Sequence, residues 1–267
     1  MDGQSNNWNG NGYYNGTPDG NNPNYDDQAK RNAELAAATS TALHSGFAGM
    51  NAMAGTYTAG EIDEISDQSY NMIIGAMLLY GFALNAIMCF VFGDQILKLN
   101  AATVMIAYIV GVIVGMIICN KTENPVVGFI GYNLIVVPMG LILTPYLKIA
   151  GIETVRYAFC VMGVIMMLMI GLAYLYPQFF KSIGRMLFSC LFVGLIAESV
   201  MWAFGNTSGV FDFFFVGIFA GYIGFDWAMA QSMTKTKSNA VRCAYMIYVD
   251  LINLLIRLIR ILAKNRD

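Results

Sequence analysis

Residues 244–262 read AYMIYVDLINLLIRLIRIL. The stretch is apolar except at Asp250, Asn253, Arg257 and Arg260. With Asn239, Arg242 and Met246 before them and Lys264 after, these residues recur at steps of three and four, which places them on one stripe of a helix. A helix with a single polar stripe either lies in the membrane interface or stands in a bundle with the stripe facing a hydrated interior. This stretch is long enough to cross a bilayer and follows a short link from another apolar segment, so the central position is expected.

That other segment holds the second key residue. The uncharged run 213–224 leads directly into Phe225-Asp226-Trp227, and Asp226 precedes Asp250 by 24 positions. A helical hairpin folded near residue 238, in the polar link QSMTKTKS at 231–238, brings the two carboxylates to similar depth. Ionisable residues are costly in hydrocarbon and mark function by default. Two carboxylates held together in a low-dielectric site cannot both ionise freely, and they exchange protons as a unit. Ionised, they form an oxygen-rich site suited to Ca²⁺ when carbonyls or water complete the shell. The bland alternative is that each aspartate caps a helix or satisfies a buried polar partner.

Composition sets the class. Of 267 residues, 57% are hydrophobic and 12% charged, with a mean hydropathy of +0.55; a soluble domain carries about 25% charged residues. Nine of the 17 acids precede residue 68. The chain therefore reads as an all-α polytopic membrane protein in contact with the lipid bilayer. The net charge of −2 and the lack of a basic, aromatic-interleaved patch give no support for nucleic acid. The five cysteines are scattered singly, without C-x-x-C spacing, and read as small buried hydrophobes. His44 is the single histidine, which removes His-based triads and zinc-protease motifs. No enzymatic activity and no bound cofactor are expected, calcium entering only as a bound or transported ion.

Residues 1–60 are Asn/Gly-rich at the start, with eight Asn and five Gly in the first 27 positions, and read as disordered. Residues 61–70 form an acidic lead-in. No basic start and apolar core of a signal peptide is visible, so the first membrane helix is expected to direct insertion. Seven apolar segments follow: 71–93, 101–119, 125–147, 155–176, 184–204, 209–230 and 239–262. They form a membrane domain over 71–263, with a short tail at 264–267. Seven transmembrane helices with the last one central are predicted. Gly111-x-x-x-Gly115 and Gly217-x-x-x-Gly221 read as close-packing sites. Pro138 and Pro145 interrupt backbone bonding in the third segment, which neighbours must make good.

Loop Lys and Arg residues fall eight to three on the side of the N-terminus, which favours a cytoplasmic start. Arg257, Arg260, Lys264 and Arg266 at the other end break that count, so the last helix either crosses against the rule or is re-entrant. Glu198, in IAESVMW, is a third intramembrane acid near a segment end, while Asp212 reads as a headgroup-boundary residue. Asn253 is within helical reach of Asp250, and Arg257, two turns away, is not its direct partner.

Several of these stretches resemble the Bax inhibitor family, the transmembrane Bax inhibitor motif proteins with their bacterial YccA-like members. Residues 224–226 with Gln231 are similar to the family's Tyr-Asp-Thr-Gln signature, with Phe225 in place of Tyr and the Gln displaced. Residues 248–255, YVDLINLL, with LIRIL at 258–262, are close to its final-helix signature, and GLILTP at 140–145 resembles its third-helix motif. The resemblance spans about 70–263. It implies seven helices with the last surrounded by six, and a di-aspartyl pH sensor in a calcium-leak pathway at Asp226 and Asp250, with Glu198, Asn253 and Arg257 as supporting polar residues. Some members carry an Arg latch in the second helix; this chain has none there. The Asn/Gly-rich start points to a bacterial plasma-membrane protein. Two other readings stay open. One is a non-conducting regulator that binds a membrane protease or another membrane protein. The other is an intramembrane aspartyl protease, although Gly-x-Gly-Asp is absent and no proline follows Pro177.

Overall fold

In the computed structural model the described residues are 64–204 and 209–264. The stretch 1–60, the first part of the acidic lead-in and the tail after Lys264 lie outside them. The described residues contain six helices: α1 Asp67–Ile96, α2 Ala101–Lys121, α3 Pro125–Leu175, α4 Pro177–Ala203, α5 Val210–Ser232 and α6 Lys237–Lys264. Five of them, α1 to α5, have segments long and apolar enough to cross a membrane. Caps start the first three. Ser66 accepts from the Ser69 amide, Asn100 from Ala102 and Asn124 from Val126, with Pro125 at the first turn of α3.

The seven separate helices expected are therefore not what is seen, and the difference lies at the LKIAGIE link. At about 1.5 Å per residue, 51 residues of straight helix would run for about 77 Å, more than twice a hydrocarbon core. The chain escapes this at Gly151, where φ 76 and ψ 157 break α3 into two arms, 125–150 and 152–175, without an intervening loop. That left-handed φ is readily available only to glycine. Within the last segment no fold-back is seen: α6 is helical without interruption from Lys237 to Lys264.

The bundle is apolar outside as well as inside. Leu79, Phe90, Leu168 and Phe188 each expose 60% or more of their surface, as side chains facing hydrocarbon do. Half of α6 is buried, 14 of its 28 residues, and it packs against α1, α3 and α5 with a lesser approach to α2. Close backbone approach occurs where the Gly-x-x-x-Gly pattern places it in α2. A Cβ on Gly115 would lie 2.6 Å from the Gly131 carbonyl oxygen, and one on Gly111 would lie 2.9 Å from that of Leu134. The pattern in α5 is only half used. Gly221 meets Leu187, whereas Gly217 faces open space. Near the prolines of α3, the Thr144 hydroxyl donates to the Gly140 carbonyl at 2.8 Å.

Candidate functional site: a buried carboxyl pair between two ionic layers

Asp226 on α5 and Asp250 on α6 come together inside the bundle, each 7% exposed. Their carboxyl groups lie close enough to interact with each other, and a hydrogen bond between two carboxyls needs one shared proton because an ionised carboxylate only accepts. The second oxygen of Asp250, Oδ2, is buried without a hydrogen-bond partner. Tyr222, one turn before Asp226, lies near both carboxyls, and Cys243, two turns before Asp250, lies near that of Asp226.

The hairpin that makes this pairing turns earlier than expected. The two helices end and restart at Ser232 and Lys237, so the link is residues 233–236 and not a turn at 238. Asp226 then lies six residues from its end and Asp250 thirteen from its start, depths that differ by about 10 Å at the helical rise. An extended link of four residues spans about 13 Å and absorbs the offset. It is held there by the lead-in: the Ile65 amide donates to the Lys235 carbonyl at 2.8 Å, and Glu64 bridges Thr236.

This end of the site is capped by residues that did not stand out in the sequence. The fully buried Tyr70 hydroxyl donates to the Ala230 carbonyl at 3.2 Å and lies 3.1 Å from the Cys243 thiol. The Lys235 ammonium sits 4.5 Å over the Tyr70 ring and donates to the carbonyls of Ala230 and Gln231 and to the Gln231 side chain. Gln231 in turn donates to Asn71 at 2.9 Å. Cys243 is thus more than a small apolar filler, while Cys160 is exposed on the outer surface. Further along, Arg242 donates to the Asn120 carbonyl and Tyr245 to the Asn120 side chain, so Arg242 closes the end of α2. Beside the pair, buried Asn85 of α1 donates to the Tyr248 hydroxyl.

On the other side of the pair stands an ionic cluster. Arg257 binds Glu198 through two nitrogens, at 2.6 and 2.8 Å, and reaches Asp212 at 3.0 Å. Arg260 lies 3.3 Å from Asp212 and 3.4 Å from Glu198. The Arg257 guanidinium also stacks 4.1 Å over the Phe215 ring. Its side chain is 12% exposed and that of Asp212 is 7%. Asp212, in the first turn of α5, is therefore a buried member of the cluster. Glu198 is paired with both arginines. Arg257 and Glu198 support each other and not the carboxyl pair. Asn253 also lacks the expected contact with Asp250: its amide donates to the Val249 carbonyl of its own helix at 2.8 Å. An open cavity of about 410 Å³ borders the cluster, with Tyr146, Ala150, Asp212, Arg260 and Lys264 in its wall. Among the described residues no group of three or more His, Cys, Asp or Glu side chains is placed to hold a metal ion.

A buried acid pair on the last two helices of an all-helical apolar bundle is the arrangement the sequence resemblance implied. A family model described as inhibitor of apoptosis-promoting Bax1 matches residues 65–267. The chain belongs to the Bax inhibitor family. The match covers all six helices and includes both aspartates and the four residues of the ionic cluster. No curated protein matches the chain closely enough to count as a relative. Family membership and the apolar helices together make this a multi-pass integral membrane protein.

Proposed function

We propose that this protein is a pH-responsive calcium or cation leak pathway whose gate is the Asp226–Asp250 pair. One observation carries the reading: two buried carboxyls from neighbouring helices meet inside a membrane protein, and one of their oxygens has no hydrogen-bond partner. Such a pair has two chemically distinct states. With one proton it is held together by its own hydrogen bond and offers one negative charge. Without it the pair is a repelling dianion that a divalent cation stabilises. The protein acts here as a pathway and not as an enzyme, with calcium as transported ion and no resident cofactor.

In this reading the membrane is crossed seven times, each arm of α3 making one crossing and α6 the last. The N-terminus then faces the cytoplasm of a bacterial cell, and the cavity opens on the opposite side. The apparent breach of the positive-inside count has a physical explanation in that topology. Arg257 and Arg260 are not loop charges; they are neutralised within the bundle by Glu198 and Asp212. The test is Ca²⁺ flux against pH in liposomes holding only this protein, for wild type, Asp226→Asn, Asp250→Asn and the double variant. Flux that is absent, or that ignores pH in the same way in all four, refutes the reading and leaves a non-conducting partner of other membrane proteins.

A further inference from the structure

The polar stripe of α6 puts Asp250, Asn253, Arg257 and Arg260 within about 80° of one another at 100° per residue. Travelling along it from the carboxyl pair, the next charged group is Arg257 and then comes the cavity wall at Arg260 and Lys264. Arg257 does not simply line this route. Its guanidinium crosses from α6 to Glu198 on α4 and Asp212 on α5, backed by the Phe215 ring.

Helix packing does not duplicate this bridge. Among the described residues no Cα atom of α4 comes within 8 Å of one in α6, so these helices are joined here through the ionic cluster and the first turn of α5. Two acids and two bases make the cluster neutral, and each acid is engaged by both arginines. A bidentate guanidinium–carboxylate pair is among the stronger and more directional polar contacts.

We infer that Arg257 is a tethered internal cation that closes the route between the carboxyl pair and the cavity, with Glu198 and Asp212 as its seat. The inference rests on the proposed cation pathway and adds to it a second barrier, on the side away from the link between α5 and α6. While Arg257 is seated, the cluster is neutral and both carboxylates are occupied, so a cation that leaves the pair finds no free acid there. When it leaves, Glu198 and Asp212 share Arg260 as their one remaining cation, so the same position carries a net negative charge that a cation can meet, and the link between α4 and α6 is reduced to the longer Arg260–Glu198 contact. Arg257 is thus a positioning residue that sets whether the route is open and which sign of ion it favours.

The experiment uses the full chain in liposomes with two readouts. The first is Ca²⁺ flux. The second is labelling of Asn253→Cys, which lies between the pair and Arg257, by a membrane-impermeant thiol reagent. Labelling is scored by peptide mass above the background of the native cysteines. With Arg257 in place, position 253 is expected to stay protected. Arg257→Met, and independently Glu198→Gln with Asp212→Asn, are expected to expose it and to raise flux by about tenfold or more, the factor of losing a charge-assisted bond. The exchange Arg257→Glu with Glu198→Arg is expected to restore protection. Equal labelling with the cluster intact overturns the inference, as does continued protection in every folded variant without it. Labelling that follows the inference while no variant conducts would instead overturn the cation-pathway reading and leave Arg257 as the floor of a closed cavity.

Discussion

Asp250→Asn separates the two roles the carboxyl pair could have. The asparagine amide can still donate to Asp226, so the hydrogen bond between α5 and α6 survives and stability should change by no more than about 1 kcal/mol. What disappears is the exchangeable proton. In the wild type, raising the pH removes it and turns an attraction into a repulsion. Two unit charges about 4 Å apart at an effective dielectric of about 20 repel by about 4 kcal/mol. A divalent cation relieves that repulsion, so the calcium concentration for half-maximal flux should rise as pH falls, by up to about a thousandfold between the two states. In Asp250→Asn or Asp226→Asn the dianion cannot form and the profile should be flat. The double variant should add nothing, because both changes act on one unit. Asp250→Ala gives the contrast: it removes the hydrogen-bond partner and should cost about 1.5–3 kcal/mol on thermal unfolding in detergent. The assay is flux over a pH series alongside the melting curves. An unaltered pH profile in both Asn variants would make the carboxyls structural and refute the argument.

Three further outcomes follow from the packing. Gly115→Leu should lower the melting temperature by an amount equivalent to about 1–3 kcal/mol, since its Cβ would meet the Gly131 carbonyl oxygen at 2.6 Å, whereas Gly217→Ala, facing open space, should be neutral or slightly stabilising. Tyr70→Phe removes the hydroxyl shared by Ala230 and Cys243; it should destabilise by about 1–2 kcal/mol and make the Cys243 thiol more reactive, and an unchanged thiol would show that the cap does not seal this end. Deletion of residues 1–60 should leave insertion and melting unchanged, given their composition, and a loss of either would show that the segment contributes to the fold.

The helices were readable because each depends on local rules. Runs of apolar residues, the Ser and Asn caps and the two-sided pattern of α6 all act within one or two turns. The boundary between the third and fourth segments was less legible for the same reason. LKIAGIE reads as a polar turn, yet a single glycine with a positive φ suffices to redirect the chain, and both sides remain helical up to it. The position of the hairpin was also missed. Ser232 and Lys237 look like loop residues by polarity, but the pairing of Ile65 with Lys235 stretches the link and lets the helices run closer to it on both sides. That pairing joins residues 170 positions apart, beyond the reach of any local pattern.

The aspartate pair was legible because two carboxylates in apolar surroundings are expensive wherever they sit. The ionic cluster obeys the same logic, applied to four residues instead of two. Arg257 and Arg260 stand on the stripe of α6 and contradict the distribution of positive loop charges. Glu198 and Asp212 are acids in or beside apolar segments with no local counterion. Each of the four is unfavourable alone, and two of each sign imply mutual pairing. The sequence holds that balance but not the geometry, since the partners lie 45 to 62 positions apart and which guanidinium takes which carboxylate depends on how α4, α5 and α6 pack. The consequence is functional as well as structural. A buried cluster of this kind must be nearly balanced, because removing one member leaves a net charge among the remaining three. On the proposed cation pathway, an ion moving past the cluster would meet Arg257 as a competitor for the same carboxylates, and the strength of that competition would set how often the pathway is open.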